Sequence, residues 1–203
     1  MIIQGSPEWF AQRCGCITAS RIVDIMAGGK GLTRAKYAAQ LAAERMTGKP
    51  SRAMFKSASM QHGNDTEPFA RMQYEMRNGV LAIESDFIYH PYIKLSGMSP
   101  DGLVNGDGLV EFKCPDTRTF IEYLLSGEIP RGYQLQMLWQ LCVSGREWCD
   151  FVAYDPDLPD EDGYIQIRYQ PTQKERADLE DEVRNFSAEV DALVQSIIAK
   201  RKL

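Results

Sequence analysis

The spacing of apolar and polar residues divides the chain into helical and strand-like stretches. Ser6-Pro7-Glu8 reads as a helix N-cap, a proline in the first turn and an acidic first turn, opening a short helix to about Arg13. Thr18-Ala19-Ser20 can open a second helix that ends before Gly28-Gly29. Thr33 is the expected cap of a third, with Tyr37, Leu41 and the alanine pairs on its buried side and Gly48 at its end. Residues 49–59 form a polar, basic connector. A fourth helix is predicted over 66–77, with Phe69, Met72 and Met76 at i, i+3 and i+7 and Asn78-Gly79 closing it.

From residue 80 the pattern changes. VLAIE (80–84), FIYH (87–90), LSGMSP (95–100) and LVEFK (109–113) have strand character, and Asn105-Gly106-Asp107-Gly108 is a strong hairpin turn. Thr117 to Leu125 and Tyr133 to Val143 read as helices. WCDFVAY (148–154) and YIQIRYQ (164–170) return to strand, and Thr172-x-x-Glu175 is a capping box for a long final helix to about Lys200. The expected fold is α/β (α+β): helices around a central mixed sheet. With 203 residues and no repeat or linker, one domain is expected: a basic helical part over 1–60, a core over 61–170 and a C-terminal helix over 171–203.

Composition narrows the chemistry. Apolar residues make up 44% and charged residues 25%, as in ordinary globular proteins. No apolar run approaches the ~20 residues that span a bilayer. The start of the chain lacks the basic and apolar regions of a signal peptide, so a cytoplasmic protein without a membrane partner is expected. Five cysteines with no C-x-x-C pair argue against a disulfide framework or zinc knuckle. With only His62 and His90, a metal would be held by carboxylate and carbonyl oxygens, which suit Mg²⁺ or Mn²⁺. The net charge of −5 hides an asymmetry: residues 1–60 carry nine Lys/Arg against three acids, and the remainder is strongly acidic. The basic part fits either a phosphate cradle or a solvated helix surface.

The informative stretch is Ser99-Pro100-Asp101-Gly102 followed by Leu109-Val110-Glu111-Phe112-Lys113. Folding at the turn returns Asp101 beside Glu111. Alternation along the strand places Glu111 and Lys113 on one face and Phe112 on the other. Two carboxylates and the Phe112 carbonyl are hard ligands for Mg²⁺, and Lys113 can orient or deprotonate a water or offset phosphoryl charge. Pro-Asp occurs four times in the chain and carries no weight alone, whereas Glu-x-Lys occurs once. The hairpin by itself also fits an exposed turn with a surface Glu–Lys pair worth under ~1 kcal/mol.

Pro100-Asp101 with Glu111-Phe112-Lys113 matches the PD-(D/E)xK nuclease signature, whose core is restriction-endonuclease-like. The surroundings resemble the phage lambda exonuclease, or YqaJ-type viral recombinase, family. The resemblance runs through WFAQRCGCITAS (9–20), YAAQLAAERMTG (37–48), GNDTE (63–67), SPDGL (99–103), LVEFKCP (109–115), Tyr133-Gln134-Leu135-Gln136 and FVAYDP (151–156), about three-quarters of the chain. It implies a Mg²⁺-dependent deoxyribonuclease, with Mn²⁺ substituting. Such an enzyme would digest one strand of a DNA duplex processively, 5′ to 3′, releasing 5′-phosphomononucleotides. It further implies a homotrimeric ring on double-stranded DNA ends and a single-strand annealing protein as partner in recombination, in a bacterial or phage-infected cell.

Carried over by position, the resemblance assigns Asp101, Glu111, the Phe112 carbonyl and Glu67 to the metal. It assigns Lys113 to the attacking water and Gln134 to the DNA or to orienting the catalytic groups. Arg13, Ser20 and Ser99 match a pocket for the 5′-phosphate, where an arginine fork and two hydroxyls suit a terminal phosphate. Where some members have a further acid ten residues before the signature Asp, this chain has Pro91; its nearest upstream acids are Glu84 and Asp86. Without the family context Glu67 fits a helix-surface carboxylate, and His62 fits a turn histidine. Met54, Phe55 and Met60 fit either a strand-splitting wedge or helix packing. The competing functions are a structure-specific or restriction-like endonuclease on the same core, and an idle DNA-end-binding module.

Overall fold

The computed structural model describes residues 2, 4–27, 32–51, 58–159 and 161–200, the side chains of 58–60 excepted. Helix α1 (Pro7–Gln12) starts as expected, with Ser6 Oγ accepting from the Trp9 amide. The expected second helix is broken into strand β1 (Ile17–Thr18), a 3₁₀ turn (Ala19–Arg21) and helix α2 (Ile22–Met26). Helix α3 (Leu32–Thr47) buries Tyr37, Leu41 and the first alanine of each pair, Ala38 and Ala42, but Ala39 and Ala43, each about 100° further round the helix, are exposed; Gly48 closes it at φ +64°. Thr33 lies inside its first turn rather than at the cap. Gly28, Gly29, Met54 and Phe55 and the Met60 side chain lie outside what is described.

Helix α4 (Ala58–Asn78) begins earlier than expected and buries a different face. Thr66, Ala70 and Tyr74 are inside, while Phe69, Met72 and Met76 are 55%, 47% and 73% exposed. Tyr74 meets the Phe112 ring edge-on at 5.9 Å and donates to the buried Asp150 carboxylate at 2.9 Å. Small Ala70 lets the helix approach the sheet. Hydropathy ranks Met and Phe above Ala and Tyr, but fit to the sheet and the hydroxyl's partner chose the face.

Strand β2 (Ala82–Ile83) borders a five-stranded sheet ordered β2, β5 (Gly102–Val104), β6 (Gly108–Lys113), β7 (Trp148–Tyr154), β8 (Tyr164–Tyr169). The β5–β6 hairpin turns through Asn105 at φ +50°, where asparagine is tolerated. Strands β6 and β7 are parallel, joined by helices α5 (Thr117–Ser126) and α6 (Arg131–Ser144). Covered on both faces, they are apolar at nearly every position except Glu111, Lys113 and Asp150.

Strands β3 (Ile88–Tyr89) and β4 (Ser96–Met98) do not join this sheet. They form a second one, ordered β1-β4-β3. Gly97 permits it: a Cβ there would stand 2.3 Å from the Ile88 carbonyl oxygen.

The main sheet is a middle layer. On one face Ala70 and Tyr74 of α4 pack with Val110, Phe112, Trp148 and Val152. On the other lies the larger core, around Trp139, Phe151 and Leu109. Helix α7 (Gln173–Lys200) seals that core with Leu179, Val183, Phe186 and Val190. The capping box forms as expected: the Thr172 amide donates to Glu175, and the Glu175 amide donates to Thr172 Oγ1. Among the described residues no helix is long and apolar enough to cross a membrane.

Candidate active site

The pairing of β5 with β6 ends at Gly102 and Val110, so the next residues, Asp101 and Glu111, stand side by side. Asp101 continues the ladder with its side chain: Oδ2 accepts from the Phe112 amide at 2.8 Å. In a strand the N–H and C=O of one residue face the same neighbour, so the Phe112 carbonyl also points toward Asp101. Glu111 projects to the α6 side of the sheet and is fully buried. Its Oε1 accepts from Lys113 Nζ and Gln136 Nε2, both at 2.5 Å, and its Oε2 from Gln140 Nε2 at 2.7 Å. Lys113 Nζ also lies 4.9 Å from the centre of the Tyr133 ring.

Helix α4 brings Glu67 and Arg71 to the open end of the hairpin. Arg71 donates to the carbonyls of Ala82 and Asp101, both at 2.7 Å, tying the Asp101 backbone to strand β2. Glu67 lies 3.6 Å and Glu84 3.8 Å from the same guanidinium. Burial first, and the Glu111 and Glu67 charges second, push the Asp101 carboxyl well above its ordinary range, with Lys113 opposing. Glu67 is raised chiefly by burial, with Glu111 adding to the effect and Arg71 offsetting part of it. Burial works against the Lys113 ammonium, but Glu111 and Asp101 outweigh it and hold the charge.

Four acids, Asp101, Glu111, Glu67 and Glu84, face two cations, Lys113 and Arg71, an excess of negative charge that favours a further cation. The donors facing it are all oxygens, which fits a hard divalent ion. Among the described residues no three His, Cys, Asp or Glu side chains converge as a metal-holding group. Glu111 turns both its oxygens to Lys113 and the two glutamine amides.

Asp101, Glu67 and Arg71 line a cleft of about 510 Å³ that also runs past Ser99, Trp9 and Phe87. Arg13, the C-cap of α1, stacks its guanidinium 3.8 Å from the centre of the Trp9 ring and 5.8 Å from that of Phe87. Burial lowers its pKa to about 10, and among the described residues no carboxylate pairs with it. Ser99 Oγ is buried without a described partner, so its hydrogen-bonding capacity is free for a group in the cleft. Ser20 and Ser99 each lie two residues beyond the parallel pair Thr18–Gly97, and Ser20 is exposed on the 3₁₀ turn.

The structure thus brings together Asp101, Glu111, Phe112, Lys113 and Glu67, places Ser99 in the lining of the cleft, and stacks Arg13 on Trp9 and Phe87, which line it too. It does not bring Gln134 there. Gln134 Nε2 donates to the Ile129 carbonyl at 2.9 Å, closing the start of α6. Two residues on a helix are separated by about 200°, so Gln134 and Gln136 face opposite ways. Gln136, Gln140 and Arg71 were not read from the sequence as site residues. Their signal is i, i+4 spacing: Gln136 with Gln140, and Arg71 with Glu67. Glu84 and Asp86 line the cleft, and Asp86 accepts from the Ile2 amide at 2.7 Å. His62 is inside α4 rather than in a turn, and all five cysteines are free.

A family model for the YqaJ-like viral recombinase domain matches residues 8–147. The crystal structure of an alkaline exonuclease, LHK-Exo, from Laribacter hongkongensis is 40% identical in sequence. It superimposes with a TM-score of 0.90 over 97% of this chain and 98% of that one. LHK-Exo in complex with dAMP is 41% identical, with a TM-score of 0.91 over the same shares. A phage related exonuclease from Haemophilus somnus 129PT shares the fold at 15% identity, with a TM-score of 0.66 over 90% of this chain and 96% of that one. No curated protein matches the sequence. The acids on a PD-(D/E)xK hairpin and the extent of these similarities lead to one conclusion: the chain belongs to the YqaJ-like viral recombinase family, that of lambda exonuclease.

Proposed function

We propose that this nuclease is a Mg²⁺-dependent exonuclease that digests the 5′-phosphorylated strand of duplex DNA in the 5′-to-3′ direction. The observation that carries the reading is a pair of features that border one cleft, through Asp101 and Glu67 in the first and through Trp9, on which Arg13 stacks, in the second. One is the buried acid cluster of Asp101, Glu111 and Glu67 beside Lys113; the other is a desolvated Arg13 with no carboxylate partner among the described residues. A guanidinium held off solvent on Trp9 favours an anion with two oxygens to offer, as a terminal phosphate does. Ser99 and Ser20 would complete that pocket.

Asp101, Glu111, Glu67 and the Phe112 carbonyl would hold the cation, and Mn²⁺ would substitute for Mg²⁺. A divalent cation held by these residues would supply Lewis-acid chemistry for water attack on a phosphodiester. Glu111 is kept in place by the Gln136 and Gln140 amides, and Lys113 offers an ammonium to the water or the scissile phosphate. Arg13 fixes how far the end can advance, so each cut falls one nucleotide in and exposes a new 5′-phosphate. That LHK-Exo has been crystallised with dAMP supports a deoxynucleoside monophosphate as the product. Processive action would leave a 3′ overhang for a single-strand annealing protein. The family resemblance adds a homotrimeric ring formed by a single nuclease domain in each copy, in the cytoplasm.

The test is incubation with linear 5′-phosphorylated duplex and closed circular DNA, with Mg²⁺ or EDTA. Loss of the linear duplex from its 5′ ends only with Mg²⁺, with the circle intact, is expected. A nicked circle would establish an endonuclease instead, and binding without cleavage an end-binding module. Light scattering that finds only a monomer of 23.0 kDa would refute the ring.

A further inference from the structure

Arg13 is followed by a tight turn whose grip comes from elsewhere in the fold. The Cys16 amide donates to the Arg13 carbonyl at 3.0 Å, and Gly15 sits inside the turn at φ +72°. Helix α3 holds the Gly15 residue at both of its backbone polar groups. Its N–H donates to Glu44 Oε2 at 2.8 Å, and its carbonyl accepts from Arg45 Nε at 3.0 Å. Glu44 is only 7% exposed, and its other oxygen accepts from Gln40 Nε2 and from the Ser51 amide, each at 3.0 Å. Ser51 immediately precedes Arg52 in the basic connector.

Among the described residues Glu44 has no ion-pair partner. All its donors among the described residues are neutral, and two are backbone amides from separate segments. A buried carboxylate without a counter-ion costs stability that an apolar contact would not. What Glu44 does here that an apolar residue cannot is accept from both amides at once, setting the turn behind Arg13.

We infer that Glu44 is a positioning residue for the 5′-phosphate pocket, acting through the Gly15 turn on Arg13. This rests on the reading of Arg13 given above. Helix α1 sets the backbone before Arg13, and the Glu44 clasp sets it after. With both ends held, the guanidinium stays stacked on Trp9, which lines the cleft, instead of sampling solvent.

The test compares kcat and KM on 5′-phosphorylated and 5′-hydroxyl duplexes for Glu44→Gln, Arg13→Ala and the double variant, each checked for folding by circular dichroism. In Glu44→Gln the new NH₂ must face the Gly15 or the Ser51 amide, so one clasp opens. The expected result is a loss of about tenfold or more in preference for phosphorylated ends, the usual scale for a charge-assisted hydrogen bond. It should come through a higher KM on those ends, with 5′-hydroxyl turnover little changed. Because Glu44 would act through Arg13, the double variant should show no less preference than Arg13→Ala alone.

A merely structural role predicts equal losses on both kinds of end, and that result would overturn the inference. So would full preference in Glu44→Gln when Arg13→Ala has lost it. An Arg13→Ala enzyme with full preference would instead remove the pocket itself, and the inference with it. Should Glu44→Gln fail to fold, Gly15→Ala disturbs the same turn with Glu44 intact, since its Cβ would stand 2.9 Å from Arg45 Cγ. Full preference in that variant would equally overturn the inference.

Discussion

Replacing Gln140 by leucine tests the support beneath Glu111. Gln140 is fully buried on α6, and its Nε2 donates to Glu111 Oε2 at 2.7 Å. A hydrogen bond to a charged group contributes about 1.5–3 kcal/mol. Gln140 Oε1, however, is buried without a described partner, so the leucine also removes an unsatisfied acceptor costing roughly 1 kcal/mol or more. The difference is a net loss of about 0.5–2 kcal/mol, or a Tm lowered by about 1–8 °C for a chain of this size. Turnover should suffer more than stability. Glu111 keeps Lys113 and Gln136 on one oxygen but loses the donor on the other, and losing an outer support of this kind costs about 10–100-fold in activity or metal affinity.

The paired control is Gln134→Leu. It should cost about 1 kcal/mol at the start of α6, with kcat near wild type. Single-turnover digestion of a 5′-phosphorylated duplex across a Mg²⁺ titration, beside urea unfolding, reads both quantities. If Gln134→Leu were as damaging to turnover as Gln140→Leu, or if Gln140→Leu kept half of wild-type kcat, the assignment of the glutamines would be wrong.

Three further results are expected. Asp101→Asn should abolish cleavage while DNA binding, followed by fluorescence anisotropy, persists. Because burial and the neighbouring acids raise the Asp101 carboxyl, the folded protein holds a proton there that the unfolded chain releases from about pH 3.9 upward. Without metal, wild-type stability should therefore fall as pH rises above that value, until it passes the raised one. Asp101→Asn should lack this slope, be the more stable protein in EDTA at neutral pH, and gain less Tm from Mg²⁺; an identical Mg²⁺ response in both proteins would refute the metal assignment. Tyr74→Phe should cost about 1–3 kcal/mol in urea unfolding, since Asp150 loses a buried donor but keeps Arg168. His90 titrates below its ordinary value because of burial, and its Nδ1 accepts from the Tyr92 and Ile93 amides. Stability should consequently decline as pH falls below about 6.5, and a His90→Asn variant with the same decline would show that another group is responsible.

What local chemistry decides was legible in the sequence. The Ser6 cap, the Thr172–Glu175 box and the 105–108 turn each involve residues a few positions apart, whose side chains meet whatever the rest of the chain does. The juxtaposition of Asp101 with Glu111 follows from that turn and from strand alternation, so the acid pair could be placed before any coordinates. The family segments then added Glu67, Arg13 and Ser99 by position, which spacing alone does not provide.

Other features depended on which surfaces meet. The apolar stripe of α4 pointed to Phe69, Met72 and Met76, but a helix with two apolar faces turns to the sheet the one that fits, and Tyr74 found Asp150 there. Gln134, Gln136 and Gln140 are chemically the same residue, and only the rotation of α6 over β6 selects the two that reach Glu111. Arg71 and Glu44 do their work through the backbones of Asp101 and Gly15, 30 and 29 residues away in sequence. Hydrogen bonds to backbone leave no mark on the partner's residue type, so no motif announces them. The sequence alone determined the turns, the caps and the acid-bearing hairpin, because these are local geometry. The tertiary structure decided which helix faces, amides and guanidinium surround that hairpin, because packing between distant segments has no period that one segment can display.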